Sequence, residues 1–461
     1  MRFLLTVLLM AVVLFPLTVA ATDVEGDVWG TWTRENSPYN VIGEIRVPPG
    51  STLVIQPGIL VDFKGHYMFI VDSLATLLAV GTETDSIFFT TEDTATGWRG
   101  LCFFYSDSGS QIVYCRLQYA NENAAIRCLT SSPTIANNTI SDNSSGGIWC
   151  ERSGAIIIDN VISGNSAGWG GGISSNDGSN GIIAGNLITA NSARYGGGIY
   201  CGSGSGPVIR ENIITGNWGD QGGGITCWGG IPYMLHNIVS CNSIVGVNCI
   251  LAGVSLTNCT ISRNAGGGIC CIGDYCYLGM QNSIVWGNSG YGIWMFEGTI
   301  ADVAYCDVQG GYSGQGNMNA DPLFAGRETE DYCLRWHSPC IDAGVPDSLD
   351  PDGTRSDIGA FYFDQSAPGI VELYPHETPI VIPRQGGELS FDGWLFNFSG
   401  QTGRVDIWTY LFAPEIGRYG PLDLFKVRIP ADSLGLTEIS RRVPEVAPEG
   451  DYVFVAYVGQ Y

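Results

Sequence analysis

Asn160-Val-Ile-Ser-Gly-Asn165 is one copy of a phrase that recurs along the chain. Asn138-Thr-Ile-Ser-Asp-Asn143 precedes it, and Asn186-Leu-Ile-Thr-Ala-Asn191, Asn212-Ile-Ile-Thr-Gly-Asn217 and Asn237-Ile-Val-Ser-Cys-Asn242 follow. Looser copies end at Asn264 and Asn288, so the closing asparagines step by 22, 26, 26, 25, 22 and 24 residues. Each copy is trailed by a glycine-rich turn and a short apolar run, as at Gly172-Ile173, Gly198-Ile199 and Gly224-Ile225. Repetition at this period marks a solenoid, whose units bury their apolar faces only against one another.

The runs are short, rich in Ile and Val, and bounded by Gly, Asn and Ser, so they are strands. Stacking coil on coil aligns Ile140, Ile162, Ile188, Ile214, Val239, Ile261 and Ile284 in one inward column. Ile148, Ile173, Ile199, Ile225, Val247, Ile269 and Ile293 form a second. Two residues on, Cys128, Cys150, Ser175, Cys201, Cys227, Cys249, Cys271 and Met295 share that strand side and make a stacked internal ladder. The recurrent Asn suits the bends, where it tolerates left-handed backbone and bonds to the Asn of the next coil.

The Asn-x-Ile-[Ser/Thr]-x-Asn…Gly-Gly-Ile coil resembles the right-handed parallel β-helix of the pectate-lyase-like superfamily over roughly residues 40 to 310. The resemblance implies an all-β solenoid of roughly ten to twelve coils at about 4.8 Å each. It implies no single activity, because that fold hosts lyases, glycosidases, epimerases and adhesins. The aspartate pair, Gly-His-Gly and Arg-x-Lys of its hydrolases do not occur, nor do the Asp-His and Arg-x-Pro-x-x-Arg patterns of its lyases.

Around this core the chain divides into segments. Residues 1–21 read as an export signal, with Arg2, an apolar Phe3–Leu17 and a small-residue cleavage site. The expected location is therefore secreted or cell-surface. Residues 22–40 are expected to cap the first coil, residues 41–310 to form the solenoid and residues 311–365 to close it. The closing segment, with Asp321-Pro-Leu-Phe324, Ser338-Pro-Cys-Ile-Asp-Ala-Gly344 and Asp352-Gly-Thr-Arg-Ser-Asp-Ile-Gly-Ala360, resembles that of many secreted bacterial β-helix proteins. Residues 370–461 alternate as an immunoglobulin-like β-sandwich would. The pair Cys333 and Cys340 is the best candidate for a disulfide; the ladder cysteines point alike and suit core packing instead.

Composition bounds the partners. With 21 basic against 45 acidic residues the net charge is −24, which argues against nucleic acid, and no later apolar run is long enough for a transmembrane helix. Outward positions beside the ladder carry Trp149, Tyr200, Trp228, Trp294 and Phe296, a stripe suited to stacking sugar rings, with Trp169, Tyr195 and Trp218 in the adjoining glycine turns. The same stripe would equally suit packing under a loop or against the C-terminal sandwich. The residue before the first Asn of each coil is Asp159, Gly185, Glu211 and His236, with Gln281 later. Glu211 and His236 in adjacent coils, with Arg210 beside them, are the candidate general-base group. Asp350, Asp352 and Asp357 around Gly353 are candidate ligands for a structural Ca²⁺. The leading expectation is thus a glycan- or surface-binding, adhesin-like protein. Its alternatives are a carbohydrate-active enzyme with a non-standard site and a structural spacer.

Overall fold

A computed structural model describes residues 21–326, 330–366, 370–376, 387–397, 402–413, 417–430, 433–443 and 453–459. The export signal up to residue 20 and residues 377–386 of the expected β-sandwich lie outside the described residues. Among the described residues no helix is long and apolar enough to cross a membrane. The chain divides into two compact units: one runs to Ser348 and includes Arg355–Tyr362, and the other comprises Leu349–Thr354 and the chain from Phe363 onward.

The first unit is a right-handed parallel β-helix of about twelve turns. Each turn passes through three short strands, which stack into three faces. Face I is a twelve-stranded sheet running from Gly30–Trp32 to Ile300–Ala304. Face II carries Thr139–Ser141, Val161–Ser163, Leu187–Thr189 and their successors to Asp307–Val308. Face III carries Ile126–Leu129, Ile148–Glu151, Ile173–Asn176 and their successors to Tyr291–Met295. The stretch 22–40, expected as a separate cap, is itself the first coil: Thr22–Asp27 pairs in parallel with Tyr39–Val47, and Gly30–Trp32 with Thr52–Ile55.

The corner between faces I and II is one left-handed residue followed by a ladder residue. Asn137, Asp159, Gly185, Glu211, His236, Asn258 and Asn282 hold the left-handed position, with φ between 47° and 64°. Asn138, Asn160, Asn186, Asn212 and Asn237 follow them, and the Nδ2 of each of the first four donates to the Oδ1 of the next at 2.9–3.0 Å. The corner between faces II and III repeats the device from Asn143 to Asn288, at 2.8–3.1 Å. These amides are buried along most of the stack, and the ladder satisfies backbone groups that a sharp bend would otherwise leave without partners.

Register bears out two of the expected columns. Ile148 to Ile293 stack as read, and so do Cys128 to Met295. The third column ends differently, because Ile261 pairs with Val285 and not with Ile284. The cause is at the corner. Asn282 takes the left-handed position and Ser283 the ladder position, its Oγ accepting from Cys259 N at 3.1 Å. Gln281 is therefore not a corner residue, and Ile284 points outward.

All fifteen cysteines are free. The ladder thiols stack in register along the core. The Cys201 thiol and then burial hold Cys227 well above an ordinary thiol, as Cys227 and burial do for Cys249. The bridge expected between Cys333 and Cys340 is not formed: Cys333 is exposed, while Cys340 is buried with its Sγ 3.5 Å from Asp307 Oδ2.

After Val308 the chain turns back along face II. The His236 Nδ1–H donates to Ala360 O (3.2 Å), Asn258 Nδ2 to Asp357 O (3.2 Å), and Ala360 N to Thr260 Oγ1 (3.0 Å). Glu330 accepts from Thr215 Oγ1 at 2.8 Å. The segment thus covers Ile238, Thr260 and Ile284, which are 4%, 0% and 0% exposed. The second unit contains two three-stranded antiparallel sheets, formed by strands Ile370–Pro375, Gly387–Asn397 and Ser433–Val443, and by Gly417–Ile429, Gly403–Ala413 and Val453–Gly459. Leu395 of the first packs with Val405, Ile407 and Ile429 of the second, an arrangement consistent with a β-sandwich.

Candidate functional site

The outward side of face III carries, coil by coil, Arg127, Trp149, Ser174, Tyr200, Thr226, Asn248, Cys270 and Trp294. Its middle is covered by the chain itself. In three successive coils the segment after the second Asn forms an extra strand, Ser166–Trp169, Ser192–Tyr195 and Trp218–Gln221, and these pair in parallel as a small sheet. A triple glycine returns the chain from each to face III. A Cβ at Gly197 would lie 2.1 Å from Trp218 O, and one at Gly222 2.4 Å from Thr226 Oγ1, so only glycine permits the approach. Ser174, Tyr200 and Thr226 are consequently buried, and Thr226 Oγ1 donates to Gln221 O.

The expected continuous aromatic stripe is therefore interrupted. Tyr200 is 8% exposed and lies in the covered middle. Trp149 is half-buried at the edge of the flap, with its indole Nε1 lacking a hydrogen-bond partner. The exposed rings sit elsewhere. Trp169 (47%), Trp218 (54%) and Trp228 (37%) present large faces to solvent. Trp169 and Tyr195 are register partners in the small sheet. Tyr195 in turn meets Trp228 edge to face, with centroids 5.2 Å apart and planes at 65°. The Arg194 guanidinium lies 5.2 Å from the Tyr195 centroid. Contacts of this kind fix ring orientation while leaving other faces free. A second group lies further along the stack: Tyr291, Trp294 (42%) and Phe296 (48%), with centroids 6.2 and 6.3 Å apart in sequence order.

Towards the first coils the same face becomes charged. Arg99 donates to Glu122 through Nε (2.9 Å) and Nη2 (2.8 Å), and through Nη1 to Glu44 (2.7 Å). His66 Nε2 lies 3.1 Å from Glu122, whose carboxyl is held below the usual range, chiefly by the Arg99 hydrogen bonds. Arg127 bridges Asn123 (3.2 Å) and Glu151 (3.4 Å). Sequence reasoning missed this network. The partners of Arg99 and of His66 lie 23 to 56 residues from them, and only the stacking of coils of unequal length brings them together.

The candidate catalytic group does not assemble as expected. Glu211 accepts from Arg210 Nη1 at 2.6 Å, while the Nδ1 of His236 is committed to the Ala360 carbonyl. Both residues occupy left-handed corner positions between faces I and II, and His236 there anchors the closing segment. The aspartates of the closing loop serve local turns. Asp352 Oδ1 accepts from Thr354 N (3.0 Å) and Oγ1 (2.7 Å), and its Oδ2 from Gln365 N (2.8 Å). Asp357 Oδ1 accepts from Asp342 N at 2.7 Å, and Asp350 N donates to Thr354 O. Among the described residues no three His, Cys, Asp or Glu side chains converge on a metal-sized site.

A family model described as "right handed beta helix region" matches residues 80–244. The match covers the middle coils with the glycine flap and stops before the strand Val245–Ile250, and it concerns fold alone. No curated protein matches the chain.

Proposed function

We propose that this protein is exported and binds glycan chains on the aromatic surface formed by Trp169, Tyr195 and Trp228. The observation that carries this reading is the edge-to-face contact of Tyr195 with Trp228 at 5.2 Å, beside the registered Trp169. Three rings held on a rigid parallel sheet lose little side-chain freedom on binding, so stacking against pyranose faces costs little entropy. Arg194 on Tyr195's own strand and Asp220 and Gln221 on the next supply polar groups for hydroxyls. The net charge of −24 favours neutral over polyanionic glycans.

Affinity electrophoresis of the purified chain through gels containing soluble glucans, mannans, xylans or pectin tests the reading. Retardation by at least one neutral polymer is expected, and Trp169→Ala or Trp228→Ala should weaken it roughly tenfold, the effect of losing one stacking contact of about 1.4 kcal/mol. Retardation unchanged in the double variant, or none with any polymer, would overturn it.

A further inference from the structure

Trp228 heads an outward column of face III in which Ile250 and then Ile272 follow in register. Phe296 N donates to Cys271 O at 2.9 Å, which carries the column one coil further to Phe296. Before Trp228 the same column holds Phe104, Leu129, Glu151, Asn176 and Gly202. The apolar run that starts at Trp228 is therefore uninterrupted up to the last coil. Its two rings are exposed and its two isoleucines half-buried. Three coil steps, about 14 Å, separate the rings. Each ring is held by a second one in the same manner. Tyr195 meets Trp228 at 5.2 Å with planes at 65°, and Trp294 meets Phe296 at 6.3 Å with planes at 66°. The column thus carries an edge-to-face ring pair at either end.

From this repetition we infer that one glycan chain lies along the solenoid axis, held at both ring pairs at once, and that its class is neutral, unbranched and extended. The inference rests on the glycan reading of Trp169, Tyr195 and Trp228, and adds to it the shape of the ligand. A coil step is close to the length of one pyranose in an extended chain, so roughly four sugars reach from Trp228 to Phe296. Equatorially linked chains stay straight over that distance and turn a face of C–H groups to the column. That face suits rings at the ends and isoleucine between them. Chains with axial linkages coil away from a straight column. The outward side chains between the pairs, Asn248, Ile250, Cys270 and Ile272, carry no cation for a uronate, and the exposed Glu297 beside Phe296 repels one. Once a chain reaches both pairs its second contact is intramolecular, so affinity climbs with chain length at that point and not before.

The test is isothermal titration calorimetry of the full chain with cello-, manno- and xylo-hexaose, the matching trisaccharides, and maltohexaose as the coiled control. At least one equatorially linked hexaose is expected to bind about tenfold or more tightly than its trisaccharide. Phe296→Ala should remove that advantage and leave trisaccharide affinity within roughly twofold. Should Phe296→Ala lower the melting temperature, Phe296→Leu, which removes the ring and keeps an apolar side chain, replaces it. Equal affinity for hexaose and trisaccharide, an advantage retained in both Phe296 variants, or maltohexaose binding as tightly as the straight chains would overturn the inference. Each of those results still leaves a glycan bound, and so leaves the reading of Trp169, Tyr195 and Trp228 intact. Binding of no oligosaccharide at all overturns that reading and the inference with it.

Discussion

Truncation of Asn186 to Ala probes what holds the coils in register. Its Oδ1 accepts from Asn160 N and Asn160 Nδ2, both at 2.9 Å. Its Nδ2 faces Ile157 O (3.0 Å), Ala184 O (3.0 Å) and Asn212 Oδ1 (2.9 Å), and the residue is 1% exposed. Alanine leaves the buried Asn160 N–H without its acceptor and opens a cavity the size of an amide. An orphaned buried group costs about 1–3 kcal/mol, and the lost ladder bonds and cavity bring the total to about 3–5 kcal/mol. Asn288, the last rung, is only half-buried: it donates to Ile261 O and accepts from Asn264 N and Nδ2, and its own side of the stack lies open enough for water to replace part of the lost bonding. Asn288→Ala is therefore expected to cost about 1 kcal/mol. Urea unfolding followed by tryptophan fluorescence measures both. A cost below about 1 kcal/mol for Asn186→Ala, or equal costs for the two, would refute the assignment of register to the buried ladder.

Burial pushes the Asp307 carboxyl up to about 6 from its ordinary 3.8, under the closing segment and beside Cys340. A raised carboxyl contributes stability that is full below about pH 3.8 and lost as pH rises through about 6. Asp307→Asn is therefore expected to gain up to about 3 kcal/mol over wild type at about pH 8 and nothing at about pH 4, read from melting temperatures across that range. A pH-independent difference would show that burial of the charge is not the cause. Ellman's reagent should modify the exposed Cys333 first in the native chain, and the buried ladder thiols only after unfolding; rapid reaction of several thiols would contradict the closed interior. Gly197→Ala should displace the flap at a cost of about 1–3 kcal/mol and abolish glycan retardation with the solenoid still folded; unchanged retardation would separate the flap from binding.

Much of the solenoid was legible because its physics is local and repeated. A period-two strand of Ile flanked by Asn and Gly announces an inward side chain, a left-handed bend and a strand end in every copy. Stacked copies leave those columns no other arrangement. The cysteine ladder was read correctly for the same reason. Ile284 was misplaced because Asn282 imitates a ladder residue while holding the left-handed position itself. The phrase alone cannot distinguish the two roles, and hydrogen bonding from Cys259 to Ser283 does.

What the chain does on its outside depended on contacts that no repeat encodes. The coil, its inward columns and the aromatic content of face III follow from the local pattern of residues. Which of those aromatics meet solvent is settled in three dimensions, because the longer coils carry an extra strand that folds over Tyr200 and lifts Trp169 and Tyr195 to the surface. The tertiary structure likewise decided that His236 anchors the closing segment while Glu211 pairs with Arg210, and that Ile238, Thr260 and Ile284 of face II are covered. Inward positions are dictated by the burial every coil must achieve. Outward positions are decided by segments distant in sequence that happen to cross them, and their reach is set by three-dimensional stacking.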